Sequence, residues 1–414
     1  MSSAVIWSED FLAYRWAYTH PMNPVRLALT MSLAQSLGVL DDVPTSPPLD
    51  IDDEALTTVH SRDYIAAVRA AGSGNASTRG PILERLFGLG DADNPIFEGM
   101  HEAGRLLVGG TMAAAQAVGS GQVTRAVNIG GGMHHAMKAR AAGFCIYNDA
   151  AIAIHWLLEN GYDRIAYIDI DAHHGDGVQA EFVGDPRVMT ISLHQHPATL
   201  WPGTGWPTEV GDGNGLGTSV NIPLMPGTPD RLWLRSFHAV VPSLIAEFRP
   251  QIIVSQCGVD SHRADPLTDL ALTVDGQRAA MIAMRDLADK YAEGRWVALG
   301  GGGYGVVDVV PRSWAHLLGT TLNRDIDVTT DIDQSWQDAA AEIATHAHSE
   351  YAHAPVGVMG DGGDVDYVPW DGDTGQDPPP GIDEAAQRQT DRAIMATRRA
   401  VYPLHGLDPE DPRD

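Results

Sequence analysis

Three short clusters in this sequence hold the residue types that hydrolytic chemistry needs. Gly130-Gly131-Gly132-Met133 runs into two adjacent histidines, His134 and His135. Asp171 and His173 stand two apart, with Asp169 before them and His174 and Asp176 after. Four glycines, Gly300 to Gly303, end in Tyr304. Two adjacent imidazoles that reach one water can act as general base and general acid. Residues two apart on an extended segment face the same way, so Asp171 and His173 can share a metal. A third ligand has to come from elsewhere, and Asp260 in Cys257-Gly258-Val259-Asp260 is the best candidate. Two carboxylates and one imidazole leave positions open for water and substrate, the ligation of a catalytic metal. Asp169 and Asp176 flank the metal pair and are the carboxylates to fix the tautomers of the histidines. A phenol after a glycine turn can donate to a developing oxyanion.

Taken singly, an Asp-x-His, a His-His pair or a tyrosine on a turn is ordinarily a loop or core feature. What joins them is their position. Each cluster follows an apolar run of strand length: Val123–Ile129, Arg164–Ile170, Arg187–Leu193, Gln251–Gln256 and Arg295–Leu299. The third run leads to His194. Segments between them, such as 149–159 and 276–291, have helical length and spacing. This alternation predicts an α/β fold, an open parallel sheet with helices on both faces. Ligands of such sheets bind outside the carboxyl ends of the strands, so five exits carrying His, Asp, Tyr and glycine point to one site.

Composition excludes other classes. The 414 residues are 44% hydrophobic and 20% charged, ordinary for a globular protein. No apolar run approaches the roughly 18–20 residues of a membrane span. The first twenty residues lack a basic start and a long apolar stretch, so no secretory signal is read there. The formal charge of −27 argues against nucleic acid as a direct partner. Cys145 and Cys257 form no CxxC pair or disulfide framework, which suits a reducing cytoplasm.

The texture changes near Arg324. Residues 324–414 hold 20 acidic and 6 basic residues, and so 14 of the 27 excess negative charges. We read residues 1–324 as the catalytic domain and 325–414 as an acidic extension. Within it, 355–382 is rich in Gly, Asp and Pro, includes Pro378-Pro379-Pro380, and reads as a linker or mobile loop. Asp361, Asp364 and Asp366 do not have EF-hand spacing. Residues 384–402 can form a helix with Asp383 as N-cap. None of the strand-exit residues lies after Ala354, so that stretch is expected to be dispensable for the chemistry.

Together, Gly-Gly-Met-His134-His135-Ala, Gly143-Phe144-Cys145, Asn148-Asp149-Ala150, Asp169-x-Asp171-x-His173-His174-Gly175-Asp176-Gly177, Pro202-Gly203-Thr204-Gly205 and Gly-Gly-Gly-Gly-Tyr304 resemble the histone deacetylase family. The chain is most similar to its bacterial acetoin-utilisation branch. His20-Pro21-Met22 with Arg26, and Asp93-Asn94-Pro95, extend the match, which spans about residues 5 to 320.

The resemblance implies the arginase/deacetylase fold and a zinc-dependent hydrolase of acetyl-lysine amides in proteins or peptides. It implies Asp171, His173 and Asp260 as metal ligands, and His134 and His135 as the tandem acid/base pair backed by Asp169 and Asp176. Tyr304 would polarise the substrate carbonyl. Phe144 and Trp201, with Gly143 and Gly302, would line the acyl-lysine site, and Asp93 would bind the substrate backbone at the rim. A structural K+ is implied near Asp169, Asp171, His173, Ser192 and Leu193. The hard ligand set also admits Fe2+ in place of Zn2+.

Two positions depart from the family pattern. Trp201 stands where many relatives carry Phe. Thr218 or Gly217 stands where a second monovalent-cation site uses a tyrosine. An acetylpolyamine amidohydrolase shares every chemical residue and is the rival enzyme. A two-manganese ureohydrolase needs a further carboxylate beside Asp260, where this chain has Gly258. A catalytically silent acyl-lysine binding module is the reading from another class, but no ligand and no Tyr304 is missing. Oligomeric state has no sequence signal here.

Overall fold

Eight strands form one sheet in the computed structural model, which describes residues 2–17, 20–74, 80–346, 351, 353–372, 378 and 381–414. The strands are β1 (Ser3–Ile6), β2 (Thr45–Ser46), β3 (Arg125–Asn128), β4 (Ile165–Asp169), β5 (Val188–Gln195), β6 (Ser219–Leu224), β7 (Ile252–Gln256) and β8 (Trp296–Leu299). Every pairing is parallel, in the order β2-β1-β3-β8-β7-β4-β5-β6. All residues of β3 to β8 are buried, which is why the central strands read as near-continuous apolar runs rather than alternating ones. The five expected strands are present, each within two residues of the predicted bounds. The short edge strands β1 and β2, and β6 with its Asn221 and Pro223, carry too weak a pattern to be singled out.

The helices among the described residues are α1 (Val25–Ser36), α2 (Asp53–Leu56), α3 (Arg62–Gly72), α4 (Pro81–Phe87), α5 (Met100–Gly119), α6 (Asp149–Glu159), α7 (Asp176–Phe182), α8 (Asp230–Phe248), α9 (Val274–Tyr291), α10 (Val309–Thr321), α11 (Gln334–His346) and α12 (Glu384–Val401). Their starts follow local chemistry. The Asn148 side chain accepts from Ala151 N–H at the head of α6, and Thr273 does so from Gly276 at the head of α9. No helix among the described residues is long and apolar enough to cross a membrane.

The acidic extension lies on the same body. Asp383 caps α12 as expected, its carboxylate accepting from Ala386 N–H at 3.0 Å. The helix docks on α8 and β6 through the fully buried Arg235–Asp391 ion pair at 2.8 Å and a Thr397 hydroxyl bond to Asn221 O at 2.6 Å. Residues 353–372, of which 355–372 were expected as part of a linker or mobile loop, instead form a strap without helix or long strand. Val358 pairs with Asp331, Met359 is fully buried, and the Arg398 guanidinium lies 4.3 Å over the Trp370 ring. Composition misled here because the glycines and aspartates serve fixed turns and ion pairs as readily as a free chain. Pro379 and Pro380 lie outside the described residues.

Candidate active site

The strand register explains how distant clusters meet. Asn128 pairs with Leu299, Leu299 with Gln256, Gln256 with Asp169, and Asp169 with Ser192. Five residues on β3, β8, β7, β4 and β5 thus stand abreast in one row at about 4.8 Å per strand. The chain leaves the sheet just beyond that row on β3, β8, β7 and β4, whereas β5 runs on to Gln195 and keeps His194, expected at a strand exit, inside the strand and paired with β6. His134 and His135 leave from β3, Tyr304 from β8, Asp260 from β7, Asp171 and His173 from β4.

Asp171, His173 and Asp260 form the one group of three or more His, Cys, Asp or Glu side chains among the described residues whose ligand atoms all lie within 4.8 Å of one another. His173 Nδ1 is 3.1 Å from Asp171 Oδ1 and 2.9 Å from Asp260 Oδ2. The outer oxygens are already engaged. Asp171 Oδ2 accepts from Gln256 Nε2 at 2.7 Å and Gly302 N–H at 2.8 Å, and Asp260 Oδ1 accepts from Ala172 N–H at 2.7 Å. Burial works against His173 holding a charge, but the two carboxylates prevail and raise it to about 10. Burial and the charge of Asp171 push Asp260 up. Two buried carboxylates around one imidazole nitrogen call for a cation, and a divalent ion displacing the imidazole proton fits that donor set. There is no room for a further carboxylate two residues before Asp260. A Cβ on Gly258 would lie 2.0 Å from Asp171 Oδ2, and one on Gly302 2.6 Å from the same oxygen.

Next to the triangle, His134 Nδ1 bonds Asp169 Oδ2 at 2.7 Å and His135 Nδ1 bonds Asp176 Oδ1 at 2.7 Å. The two rings meet through Nε2 at 2.9 Å. All four side chains are buried. Burial opposes a second proton on either ring. For His134, Asp169 and Asp171 overcome it and raise the pKa to about 9. For His135, burial and the neighbouring His134 prevail over Asp176 and lower it to about 4. One ring is therefore charged and the other neutral at pH 7.

Tyr304 is 5% exposed, and burial with the Asp260 and Asp171 charges pushes its phenol well above the usual range, so it remains a donor. Its N–H donates to Asp265 Oδ2 at 2.8 Å. The Phe144 ring lies edge-on to Tyr304 at 5.5 Å, and the Trp201 ring edge-on to His135 at 4.6 Å. Trp201 is 46% exposed and Phe144 half-buried. Gly143, at φ +50°, is packed so closely that a Cβ there would strike both the His135 and Trp201 rings. Asp93 is exposed, and its carbonyl accepts from His20 Nε2 at 3.1 Å. Asp169 and Ser192 are register partners, the Asp171 N–H donates to Asp169 Oδ1 at 3.1 Å, and Leu193 is fully buried beside Ser192.

The contacts of several supporting residues escape sequence reading, although Asp149 and Arg26 stand in the motifs that carry the family resemblance. Asp149 accepts from Gly132 N–H at 2.9 Å and Met133 N–H at 2.7 Å, fixing the turn before the tandem histidines. Tyr167 donates to Asp169 Oδ2 at 2.7 Å. Arg26 donates to Gly303 O at 2.7 Å. Gln256 had a signal, being the polar end of an otherwise apolar run.

Comparison with known proteins agrees with this geometry. The profile of the histone deacetylase domain matches residues 20–321. The acetoin utilisation protein AcuC of Bacillus subtilis (strain 168) is 44% identical over 335 residues, 81% of this chain and 85% of that protein. AcuC of Staphylococcus xylosus is 39% identical over 317 residues, 77% of this chain and 82% of that protein. The crystal structure of a histone deacetylase homologue complexed with SAHA superposes with a TM-score of 0.79 at 27% identity, covering 95% of this chain and all of that one. A homologue from Aquifex aeolicus superposes with a TM-score of 0.78 at 26% identity and the same coverage.

Proposed function

The chain belongs to the histone deacetylase family, alongside the acetoin utilisation proteins, and on that premise we propose that it hydrolyses the amide of acetyl-lysine in proteins. The observation that carries the reading is the joint placement of the Asp171–His173–Asp260 triangle, the two carboxylate-backed histidines and Tyr304 at one row of strand ends. A divalent ion, Zn2+ or Fe2+, held by the triangle supplies a Lewis acid and lowers the pKa of water from 15.7 toward ~7. K+ is the structural ion proposed beside Asp169 and Ser192.

The residues divide the remaining work. His135, neutral and oriented by Asp176, takes the water proton as attack occurs. Tyr304 donates its hydroxyl proton to the acetyl oxygen as charge develops there, where a hydrogen bond is worth most. His134, charged against Asp169, delivers its proton to the departing lysine nitrogen, without which the amine is a poor leaving group. Phe144 and Trp201 are apolar walls for the lysine stem, each buried methylene contributing about 0.8 kcal/mol. A polyamine would set a charged secondary amine against those walls, at a desolvation cost. Asp93, which is exposed, would accept a substrate backbone N–H.

The deciding experiment is turnover by the metal-loaded protein of acetyl-lysine peptides, acetylputrescine and acetylspermidine. A higher kcat/KM for the peptides is expected. The reverse order would assign the site to acetylpolyamines, and binding without turnover would make it an acyl-lysine reader.

A further inference from the structure

The strap of residues 353–372 reaches into the same machinery from behind. Asp361, with a side chain only 8% exposed, bonds three separate elements. Its Oδ2 accepts from His262 Nε2 at 2.8 Å and from Val274 N–H, at the head of α9, at 2.9 Å. Its Oδ1 accepts from Arg312 Nη1 on α10 at 2.7 Å. Its own N–H donates to Asp275 Oδ2 at 2.7 Å.

His262 completes a second Asp-x-His with Asp260, yet its ring turns away from the metal triangle and toward the strap. Its Nδ1 accepts from Ala264 N–H at 3.1 Å, and its carbonyl accepts from Asp265 N–H at 2.8 Å. Asp265 in turn holds the Tyr304 N–H. Thr268, further along this loop, donates to the Asp260 carbonyl. At its other end the strap is preceded by Tyr351, whose carbonyl accepts from Val306 N–H at 3.0 Å, two residues beyond Tyr304. The extension thus grips both the loop of Asp260 and the loop of Tyr304, and Asp361 is where the grip on the first of them is made.

We propose that Asp361 is a positioning residue for Asp260 and Tyr304, acting through His262, so that the acidic extension is part of the catalytic apparatus. This rests on the deacetylase reading for its kinetic consequence, and it reverses the expectation that the chain after Ala354 is dispensable for the chemistry. The physical reason is that catalytic side chains on irregular loops need rigid backing, and a misplacement of 1 Å can cost ~10²-fold in rate.

The test compares full-length Asp361→Ala, Asp361→Asn and His262→Ala with the wild type. Asn keeps an oxygen for the Val274 N–H, and His262→Ala cuts the same link while leaving the Asp361–Arg312 pair intact. Asp361→Ala is expected to lower kcat for an acetyl-lysine peptide at least tenfold with KM within about twofold, and Asp361→Asn to recover part of the loss. In the metal-free protein, amide exchange at Asp265 and Tyr304 is expected to quicken in Asp361→Ala and His262→Ala, with the central strands unchanged. Wild-type exchange at those two amides would overturn the proposal. So would exchange quickened throughout the sheet together with a kcat loss that follows the fall in thermal midpoint. If the wild type fails to hydrolyse acetyl-lysine, the functional reading fails, while the exchange comparison still decides the positioning role.

Discussion

His134 and His135 meet through their Nε2 atoms at 2.9 Å, while each is held from behind by its own carboxylate at 2.7 Å. Two imidazolium ions cannot share that contact, so the pair divides into one charged and one neutral ring. The asymmetry comes from Asp171, which adds to Asp169 in favouring the proton on His134.

A bell-shaped dependence of kcat/KM on pH follows. The active form needs His135 neutral and His134 protonated; without the ion these lie at about 4 and about 9, and a divalent ion on Asp171 offsets part of the attraction for the His134 proton, so the alkaline limb of the loaded enzyme falls below 9. Asp169→Asn removes the largest attraction holding the His134 proton, and the alkaline limb should move to lower pH while the acid limb stays. An alkaline limb that does not move would detach Asp169 from this role.

Asp260→Asn should lose metal and activity together, because the remaining carboxylate leaves a divalent ion under-neutralised. Titration of the metal-free wild type should saturate at one transition-metal ion per chain. Two equivalent sites would contradict the triangle and the closed position at Gly258.

Tyr304→Phe should cut kcat by ~10²–10³ and change KM little, since its hydrogen bond strengthens only as the carbonyl becomes an oxyanion. Steady-state kinetics on one acetyl-lysine peptide suffice. Undiminished kcat would remove Tyr304 from the mechanism.

His60 gives a stability outcome independent of catalysis. Its Nδ1 donates to Met137 O at 3.0 Å and its Nε2 accepts from Asn148 N–H at 2.9 Å, so the ring must be neutral. Burial lowers its pKa to about 4, against roughly 6.5 in the unfolded chain. The unfolded state therefore binds the extra proton first. The stabilisation is complete above pH 6.5 and is lost as pH falls toward 4, by about 3 kcal/mol at the limit. Denaturant titrations across that range should show a decline that His60→Gln flattens by up to one proton. An identical decline in the variant would refute the assignment.

How much could be read beforehand differs from element to element. The run at β7 announced a buried strand because Ile252, Ile253 and Val254 face packed helices on both sides, and the residues just past it announced a site. The row from Asn128 to Ser192 was not readable, since register depends on neighbours 23 to 171 residues away. Asp149 looked like the first residue of a helix, which it is, but its acceptance of two N–H groups from residues 132 and 133 exists only in three dimensions. Asp361 was hidden for the same reason. Its partners lie 49 to 99 residues away, and no local period marks a strap whose bonds are all distant.

The order of the strands has a consequence for how the molecule comes into being. β8, the last strand along the chain, is also the one that lies between β3 and β7. Before Trp296–Leu299 is in place, β2-β1-β3 and β7-β4-β5-β6 are two separate ribbons. The tandem histidines belong to the first, and both metal-facing carboxylates to the second. A growing polypeptide therefore carries two inert halves until four residues near position 300 join them. The two halves of the site come abreast only when β8 is in place, and the strap that carries Asp361 is made after it.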